Sequence, residues 1–193
     1  MKLSANICIV IFSLFLCPLL PIGCGKKSEN ESSAGGSQKS PAETWTDEDS
    51  GLMWQVNPPE DFIVWNDAKD YCRDLSIGGF GNWRLPTISE LRSLIRGCPG
   101  TQSGGSCPVT DNYTGVLEAF KEKCKGCPSK IGSDPMGAYW PPELAGKSLF
   151  MWWSSSSVES TGLTWVLNFS TAQIFIMNPP NDFGVLVRCV RES

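Results

Sequence analysis

The sequence predicts an α+β domain in which two helices precede a strand-rich second half. Between residues 64 and 97, apolar residues recur at the spacing of amphipathic helices. After residue 150, short β-branched and aromatic runs alternate with turn residues, as in antiparallel strands. The chain has 193 residues, which is enough for one domain with a substantial core. Helices and strands that are segregated along the chain in this way are typical of the α+β class.

The ordered domain is predicted to begin near Trp45 with a hairpin. TWTDEDSGLMWQ contains two short aromatic stretches around an Asp-Ser-Gly turn. In the next segment, Asn66 is placed to cap a first helix, which Gly78 and Gly79 end. Four residues at helical spacing form its apolar face: Ala68, Tyr71, Cys72 and Leu75.

A second helix is predicted in RLPTISELRSLIRG, where Thr87 and Glu90 have the spacing of a capping box. Its apolar face consists of Ile88, Leu91, Leu94 and Ile95. Residues 97–150 are rich in Gly, Pro and Cys and form a long insertion, with one short helix predicted at 116–123. Strands are then predicted at 150–155, 164–169, 173–177 and 184–190, and the middle two form a hairpin.

The first 23 residues have the features of a signal peptide. The apolar run at 7–20 is short and Pro18 interrupts it, so a permanent transmembrane anchor is the weaker interpretation. The sequence PIGC at 21–24 resembles a bacterial lipobox, in which Cys24 becomes the lipidated first residue. An ordinary cleaved signal with an incidental cysteine is the alternative.

Residues 24–44 lack any aliphatic side chain larger than alanine and are expected to form a flexible tether. We expect attachment to a membrane through the lipid at Cys24. Because Gly25 follows the cysteine in place of an aspartate, the outer membrane is favoured where the source has two membranes. The formal net charge of −4 makes the chain a poor nucleic-acid binder, so no nucleic-acid partner is predicted.

The chain contains no histidine, which removes the commonest general base and most zinc sites. No catalytic residue, metal site or cofactor is predicted. Of the nine cysteines, Cys8 and Cys17 are removed with the predicted signal peptide and Cys24 is the predicted lipidation site. Six cysteines therefore remain in the mature domain. In an oxidising compartment six cysteines predict three disulfides.

The tripeptide Trp65-Asn66-Asp67 is one that calcium-dependent lectins use to hold metal and sugar. Here Asn66 and Asp67 fall in the first turn of a predicted helix, where their oxygens satisfy free N–H groups and the positive end of the dipole. Helix capping is therefore favoured over calcium binding. The loop NPPND at 178–182 has a single carboxylate, and turn chemistry explains it better than a calcium site.

Six blocks in order carry a resemblance to a known family: GLMWQ, WNDAKDYCRDL, GNWRLPTISELRSLI, WWSSS, TWVLNF and VRCVRE. They resemble the C-terminal domain of Lcl, a bacterial collagen-like adhesin, and its uncharacterised relatives. The resemblance covers residues 45–193 apart from the insertion. It implies a C-type-lectin-like fold and a non-catalytic role in adhesion or binding. The adhesin relatives also suggest a homotrimer, although this chain lacks their collagen-like stalk.

The same helices resemble those of the formylglycine-generating enzymes, which share this fold. An enzyme of that branch with altered chemistry is therefore the alternative. The copper-binding pair of cysteines near the C-terminus is missing, since only Cys189 lies in that region. The Cys124-Lys-Gly-Cys127 spacing lacks the strand and helix start that thiol exchange enzymes place around it, so a structural disulfide is favoured.

The six remaining cysteines are expected to form one long-range and two local disulfides. Cys72 lies on the apolar face of the first helix, and Cys189 alternates with Val185 and Val187 on the last strand, so Cys72 and Cys189 can meet in the core. The resemblance supports this pair, because lectin-like domains join their first helix to their last strand. The other four pair most simply as Cys98 with Cys107 and Cys124 with Cys127; the nested alternative is Cys98 with Cys127 and Cys107 with Cys124.

Two features of the insertion are candidates for ligand binding. Tyr139 and Trp140 form an aromatic pair that can stack on sugar rings, and packing against the core is an equally good interpretation. A local positive patch consists of Lys121, Lys123, Lys125 and Lys130. It predicts an anionic polysaccharide site, with a solvated helix face as the alternative. We expect calcium-independent recognition of an extracytoplasmic glycan or protein partner.

Overall fold

The structure is a computed structural model that describes residues 42–158, 161–179 and 184–193. The predicted signal peptide, Cys24 and most of the predicted tether lie outside these ranges. The described elements are, in order, β1 (Thr44–Asp47), β2 (Leu52–Gln55), α1 (Trp65–Asp74), α2 (Ile88–Ser93), α3 (Leu117–Lys123), β3 (Met151–Ser157), β4 (Thr164–Asn168), β5 (Gln173–Met177) and β6 (Val190–Glu192). Residues 40–193 form one compact unit. The predicted α+β class is confirmed.

The described strands form two antiparallel sheets, ordered β1-β2-β6 and β3-β4-β5. Both predicted hairpins are confirmed. In the first, Trp45 lies opposite Trp54. Gly51 in its turn has φ +71°, a conformation that favours glycine. None of the described helices is long and apolar enough to cross a membrane.

The last predicted strand, 184–190, is wrong in its bounds. Val185 pairs only with Ile63, and Leu186 only with Trp152, before β6 begins at Val190. The segment changes partner at each step because it passes from one sheet to the other. Residues 185–190 are all buried, so the alternation expected of a half-buried strand is absent.

Helix α2 begins with the predicted capping box. Thr87 Oγ1 accepts the Glu90 N–H at 3.2 Å, and the Glu90 carboxylate accepts the Thr87 N–H at 2.8 Å. Two further N–H groups of the first turn find distant partners. Ile88 donates to Ser156 Oγ at 2.9 Å, and Ser89 donates to Asp111 Oδ1 at 3.0 Å. The start of α2 is thereby joined to both the insertion and β3.

Helix α1 differs from its prediction at the N-terminus. Val64 precedes the first turn and supplies no side-chain cap, and Asn66 lies exposed inside that turn. The backbone fixes this helix start, because Ile63 exchanges hydrogen bonds of 3.0 and 3.1 Å with Val185. The expected Asn66 cap is therefore wrong. Asp67 does lie in the first turn, where a carboxylate interacts favourably with the helix dipole.

The predicted Cys72–Cys189 disulfide is confirmed, and it lies in a core cluster with Trp83 and Trp153. The local pairing of the other four cysteines is wrong. The structure has the nested pairs Cys98–Cys127 and Cys107–Cys124.

Backbone contacts explain the nested arrangement. The Cys124 carbonyl accepts from Ile174 N–H, and Cys127 N–H donates to the Thr171 carbonyl. These bonds fix the end of α3 against the β4–β5 hairpin with the two cysteines apart. Each then bonds a cysteine of the 98–107 loop, which is itself folded by a hydrogen bond from Cys107 N–H to the Gly100 carbonyl.

Candidate functional site

Tyr139 and Trp140 are not exposed, contrary to one of the two interpretations of the sequence. Only 1% of Tyr139 and 2% of Trp140 is accessible to solvent. The Tyr139 hydroxyl donates to the Pro128 carbonyl at 2.7 Å, and Trp140 Nε1 donates to the Leu144 carbonyl at 2.9 Å. The insertion has few strands and helices, and the burial of these two rings stabilises it in their place. They pack it onto the core, so the prediction that they contact ligand is wrong.

A buried arginine lies beside Trp140. The Arg188 guanidinium carbon is 4.7 Å from the Trp140 ring centroid and 5.1 Å from that of Trp152. Its N–H groups donate to the carbonyls of Gln55, Val56 and Ala145. Burial lowers the pKa of Arg188 to about 9, so the side chain remains protonated at neutral pH.

The two indole faces and the carbonyl dipoles stabilise this charge in place of a carboxylate. Arg188 therefore joins β2 to the end of the insertion. Sequence reasoning missed it, although a charged residue within the apolar run GVLVRCV was a signal of a buried charge.

Arg92 organises the start of the insertion in the same way. It is buried on α2 and donates to the carbonyls of Thr101, Gln102, Cys107 and Val109. Burial lowers its pKa, and the nearby Asp111 carboxylate opposes this shift. The loop thus wraps around one guanidinium, which fixes its backbone without an apolar core of its own.

Two adjoining clefts run along the β1–β2 turn, with volumes of ≈490 and ≈620 Å³. Both are lined by Asp47, Asp49 and Arg96. The first is completed by Ser50, Arg92, Ser93, Ile95, Gln102 and Ser103, and the second by Trp45, Thr46, Glu48, Ser133, Pro142 and Glu143. We call the two together the hairpin cleft. One wall belongs to the hairpin, and the other to the end of α2, the residues directly after it and the insertion.

An ion pair is fixed at the centre of the hairpin cleft. Asp47 is buried; its Oδ1 lies 3.2 Å from Arg96 Nη2, and its Oδ2 accepts the Ser50 hydroxyl at 2.6 Å. Arg96 Nη1 also donates to the Ser93 carbonyl. Both carboxylate oxygens are therefore occupied, while the Arg96 side chain stays 32% exposed. The guanidinium is held in place with part of its surface open to solvent.

The remaining side chains of the hairpin cleft offer varied hydrogen-bonding groups. Gln102 contributes an amide, Ser103 and Ser133 contribute hydroxyls, and the partly buried Trp45 contributes an indole. Exposed carboxylates stand at Glu48, Asp49 and Glu143. A cleft with convergent polar groups and one aromatic wall suits a polar ligand such as a sugar. None of these residues was predicted to contact ligand, because the cleft is assembled from distant segments.

The four lysines of the predicted positive patch are exposed: Lys121, Lys123, Lys125 and Lys130. Two of them pair with acidic residues of α3. Lys121 pairs with Glu118 at 2.7 Å, and Lys125 with Glu122 at 3.4 Å. This arrangement is that of a solvated surface, formed by α3 and the segment after it. The patch does not meet Tyr139 and Trp140 in one exposed site, because both rings are buried.

The lectin-like tripeptide lies on the exposed first turn of α1, with Asn66 and Asp67 both open to solvent. Across the described ranges there is no group of three or more His, Cys, Asp or Glu residues placed to hold a metal ion. Residues 180–182 of the NPPND loop lie outside those ranges.

The fold and its disulfides define a disulfide-stabilised α+β domain of the kind that forms outside the reducing cytoplasm. The chain belongs to the Lcl C-terminal domain family, whose model matches residues 43–191. This match confirms the resemblance found in the six sequence blocks, and it spans the insertion as well. A search of curated proteins finds no match to the chain.

Proposed function

We propose that this protein is an exported, lipid-anchored, non-catalytic binding domain that holds an extracytoplasmic glycan in the hairpin cleft without calcium. The observation that carries the proposal is the fixed Asp47–Arg96 pair at the centre of a polar cleft. Family membership supports a role outside the cell interior. A protein partner is the alternative outcome of the binding experiment.

The cleft is built in advance of ligand binding. Arg92 fixes the loop that carries Gln102 and Ser103, and the disulfides Cys98–Cys127 and Cys107–Cys124 close the insertion behind it. Little backbone entropy is therefore lost when a ligand binds. The exposed part of Arg96 is oriented by Asp47 and does not need to reorganise.

A binding role also fits the chemistry of the reactive groups. All six described cysteines are in disulfides, so none of them offers a thiolate nucleophile. Asp47 uses both oxygens to hold Arg96 and Ser50, which leaves it poorly placed to exchange protons with a substrate. These features support binding over an altered formylglycine-generating chemistry.

The binding test is a glycan and matrix-polymer array with the domain 40–193, with and without calcium. The double variant Asp49→Ala with Gln102→Ala removes two cleft groups that have no role in the core. We expect it to weaken binding at least tenfold, since each lost hydrogen bond to ligand contributes about 1 kcal/mol. Asp67→Ala, an exposed carboxylate outside the cleft, is the matched control and should bind as the parent does.

The opposite pattern, in which EDTA or Asp67→Ala abolishes binding and the cleft variant is unaffected, would establish a calcium-lectin mode instead. If the domain bound only protein ligands, the hairpin cleft would remain the proposed binding site, but its ligand would be a protein and not a glycan. Consumption of an array ligand by the parent domain, lost in the cleft variant, would favour the enzymatic alternative.

The lipid anchor is tested separately in cells with the whole chain. Inhibition of lipoprotein signal peptidase should accumulate the precursor, and Cys24→Ala should release the protein from membranes. A Cys24→Ala protein that remains membrane-bound like the parent would refute the anchor. The cleft experiment uses no lipid, so either half of the proposal can fail alone.

A further inference from the structure

The three disulfides differ in how far solvent reaches their cysteines. Five of the six described cysteines are buried: Cys72, Cys98, Cys107, Cys124 and Cys189. Cys127 is only partly buried, and exposed residues lie on both sides of it in the segment 125–130. Access to the sulfur is one of the factors that set the rate of thiol–disulfide exchange. A thiolate in solution can therefore reach one disulfide, Cys98–Cys127, from its Cys127 end.

The buried end of the same disulfide is arranged to accept negative charge. Thr101, which is 1% exposed, donates its hydroxyl to Cys98 Sγ with an Oγ1–Sγ distance of 3.3 Å. A neutral sulfur is a weak hydrogen-bond acceptor, and a hydrogen bond to an ionised acceptor is about twice as strong as one between neutral groups. The Thr101 hydroxyl therefore stabilises Cys98 most when the disulfide opens and leaves its electron pair on Cys98 Sγ.

The backbone holds both ends of this disulfide in position. Arg92 Nε donates to the Thr101 carbonyl at 2.8 Å, and the Thr101 N–H donates to the Cys98 carbonyl at 3.2 Å. At the other end, the Cys127 N–H donates to the Thr171 carbonyl at 2.7 Å. The accessible sulfur and the hydroxyl-stabilised sulfur thus have fixed surroundings before any reaction begins.

The domain keeps its other constraints when this disulfide opens. The buried Cys107–Cys124 disulfide still closes the insertion, and Arg92 still donates to the carbonyls of the 98–109 segment. The long-range Cys72–Cys189 disulfide lies in a separate core cluster. Loss of Cys98–Cys127 alone therefore does not require the domain to unfold.

We propose that Cys98–Cys127 is a thiol–disulfide exchange site, which a dithiol outside the cytoplasm opens by attack on Cys127. The attacking thiolate forms a mixed disulfide with Cys127 Sγ, the Cys98–Cys127 bond breaks, and Cys98 leaves as a thiolate that takes a proton from water. The second thiol of the dithiol then attacks its own bridged sulfur and releases Cys127. The dithiol is oxidised to its disulfide while the protein gains two thiols, and a disulfide reagent reverses the reaction.

The two thiols define the kind of partner, because a monothiol would leave Cys127 in the mixed disulfide. The chain is the substrate of this exchange and not its enzyme. The site requires no ligand in the hairpin cleft, so the proposal stands whether or not the cleft binds a glycan.

The test is native-state reduction by dithiothreitol, followed by alkylation and peptide mapping. Residues 40–193 contain every described element, both core clusters and the three disulfides, so this unit is the appropriate sample. The alkylating label should appear on Cys98 and Cys127 about tenfold faster than on the other four cysteines, with unchanged far-UV circular dichroism. Oxidised glutathione should then restore the Cys98–Cys127 pair.

A monothiol shows which sulfur is attacked. With reduced glutathione and immediate alkylation, the mixed disulfide should be found on Cys127 and the alkyl label on Cys98. The reverse placement would overturn the proposal, since it would mean that the buried sulfur is the one attacked.

Replacement of Thr101 tests the leaving sulfur. Thr101→Val removes the hydroxyl at nearly constant volume and should slow the reduction of Cys98–Cys127 by about three- to tenfold, whereas Thr101→Ser should keep the parent rate. A merely structural role would give the opposite sign, because a loosened loop admits the dithiol faster. Thr110→Val, at an exposed threonine of the same insertion, is the matched control and should react as the parent does.

Two further outcomes would overturn the proposal. In the first, another disulfide is reduced before Cys98–Cys127 under native conditions. In the second, all three resist dithiothreitol until urea unfolds the domain. Both comparisons use the parent sequence, so they decide the question even if Thr101→Val fails to fold.

Discussion

Replacement of Trp140 by alanine should destabilise the domain strongly. The side chain is 2% exposed, and its ring lies 4.6 Å from Phe169 and 5.0 Å from Trp152. Truncation of a buried tryptophan to alanine costs about 3–5 kcal/mol. Loss of the hydrogen bond to the Leu144 carbonyl adds about 1 kcal/mol. The expected loss of about 4–6 kcal/mol is a large share of the typical 5–15 kcal/mol that holds a domain folded.

The measurement is urea unfolding of the domain 40–193 with its disulfides intact, followed by far-UV circular dichroism. Trp140→Phe keeps an aromatic ring against Phe169 and should cost about 1–2 kcal/mol, chiefly through the unsatisfied Leu144 carbonyl. Met136→Ala removes an exposed apolar side chain and should stay within about 0.5 kcal/mol of the parent.

If the free energy of unfolding of Trp140→Ala were within about 1 kcal/mol of the parent value, the buried placement of Trp140 would be contradicted. Truncation of a core tryptophan typically costs about 3–5 kcal/mol. If that variant also lost glycan binding, Trp140 would be a ligand contact and the hairpin cleft would lose its support. The stability result therefore decides how any binding result for Trp140 is interpreted.

Three further predictions follow from the described contacts. Burial raises the pKa of the Tyr139 hydroxyl, so this group ionises at lower pH in the unfolded chain than in the folded one. The free energy of unfolding should therefore fall as the pH rises above the pKa of a tyrosine in the unfolded chain. Tyr139→Phe should remove this contribution to the pH dependence of stability, measured by urea unfolding at alkaline pH. Peptide mapping without reduction should recover Cys98 joined to Cys127 and Cys107 joined to Cys124, and a Cys124–Cys127 peptide would contradict the nested arrangement. Asp67→Ala should cost only about 0.3–1 kcal/mol, since Asp67 interacts with the dipole of α1 without capping it, and a larger loss in urea unfolding would indicate a missed contact.

Local chemistry made parts of the fold predictable. The capping box of α2 and the two hairpins depend on residues within a few positions of one another, and each formed as the sequence indicated. The Asn66 cap failed because a backbone pair between Ile63 and Val185, which are far apart in sequence, sets the start of α1. A local pattern cannot register such a constraint.

The candidate site was harder to predict for the same reason. The hairpin cleft brings Asp47 together with Arg96 and Gln102, three residues whose spacing along the chain follows no motif. Tyr139 and Trp140 looked like surface aromatics because a Gly- and Pro-rich segment carries them. The structure shows that such a segment folds by burying its aromatic side chains and by donating buried arginine N–H groups to its carbonyls.

The four carbonyls around Arg92 have a consequence for how freely the insertion can change. Every amino acid supplies the same carbonyl oxygen, so the anchor places no demand on the side chains of Thr101 or Gln102 as hydrogen-bond partners. Positions such as Gln102 and Ser103, which face the hairpin cleft, can therefore be randomised while the loop keeps its path. The domain is in this respect suited to the selection of new specificities, provided that a library keeps Arg92 and the four cysteines that close the insertion.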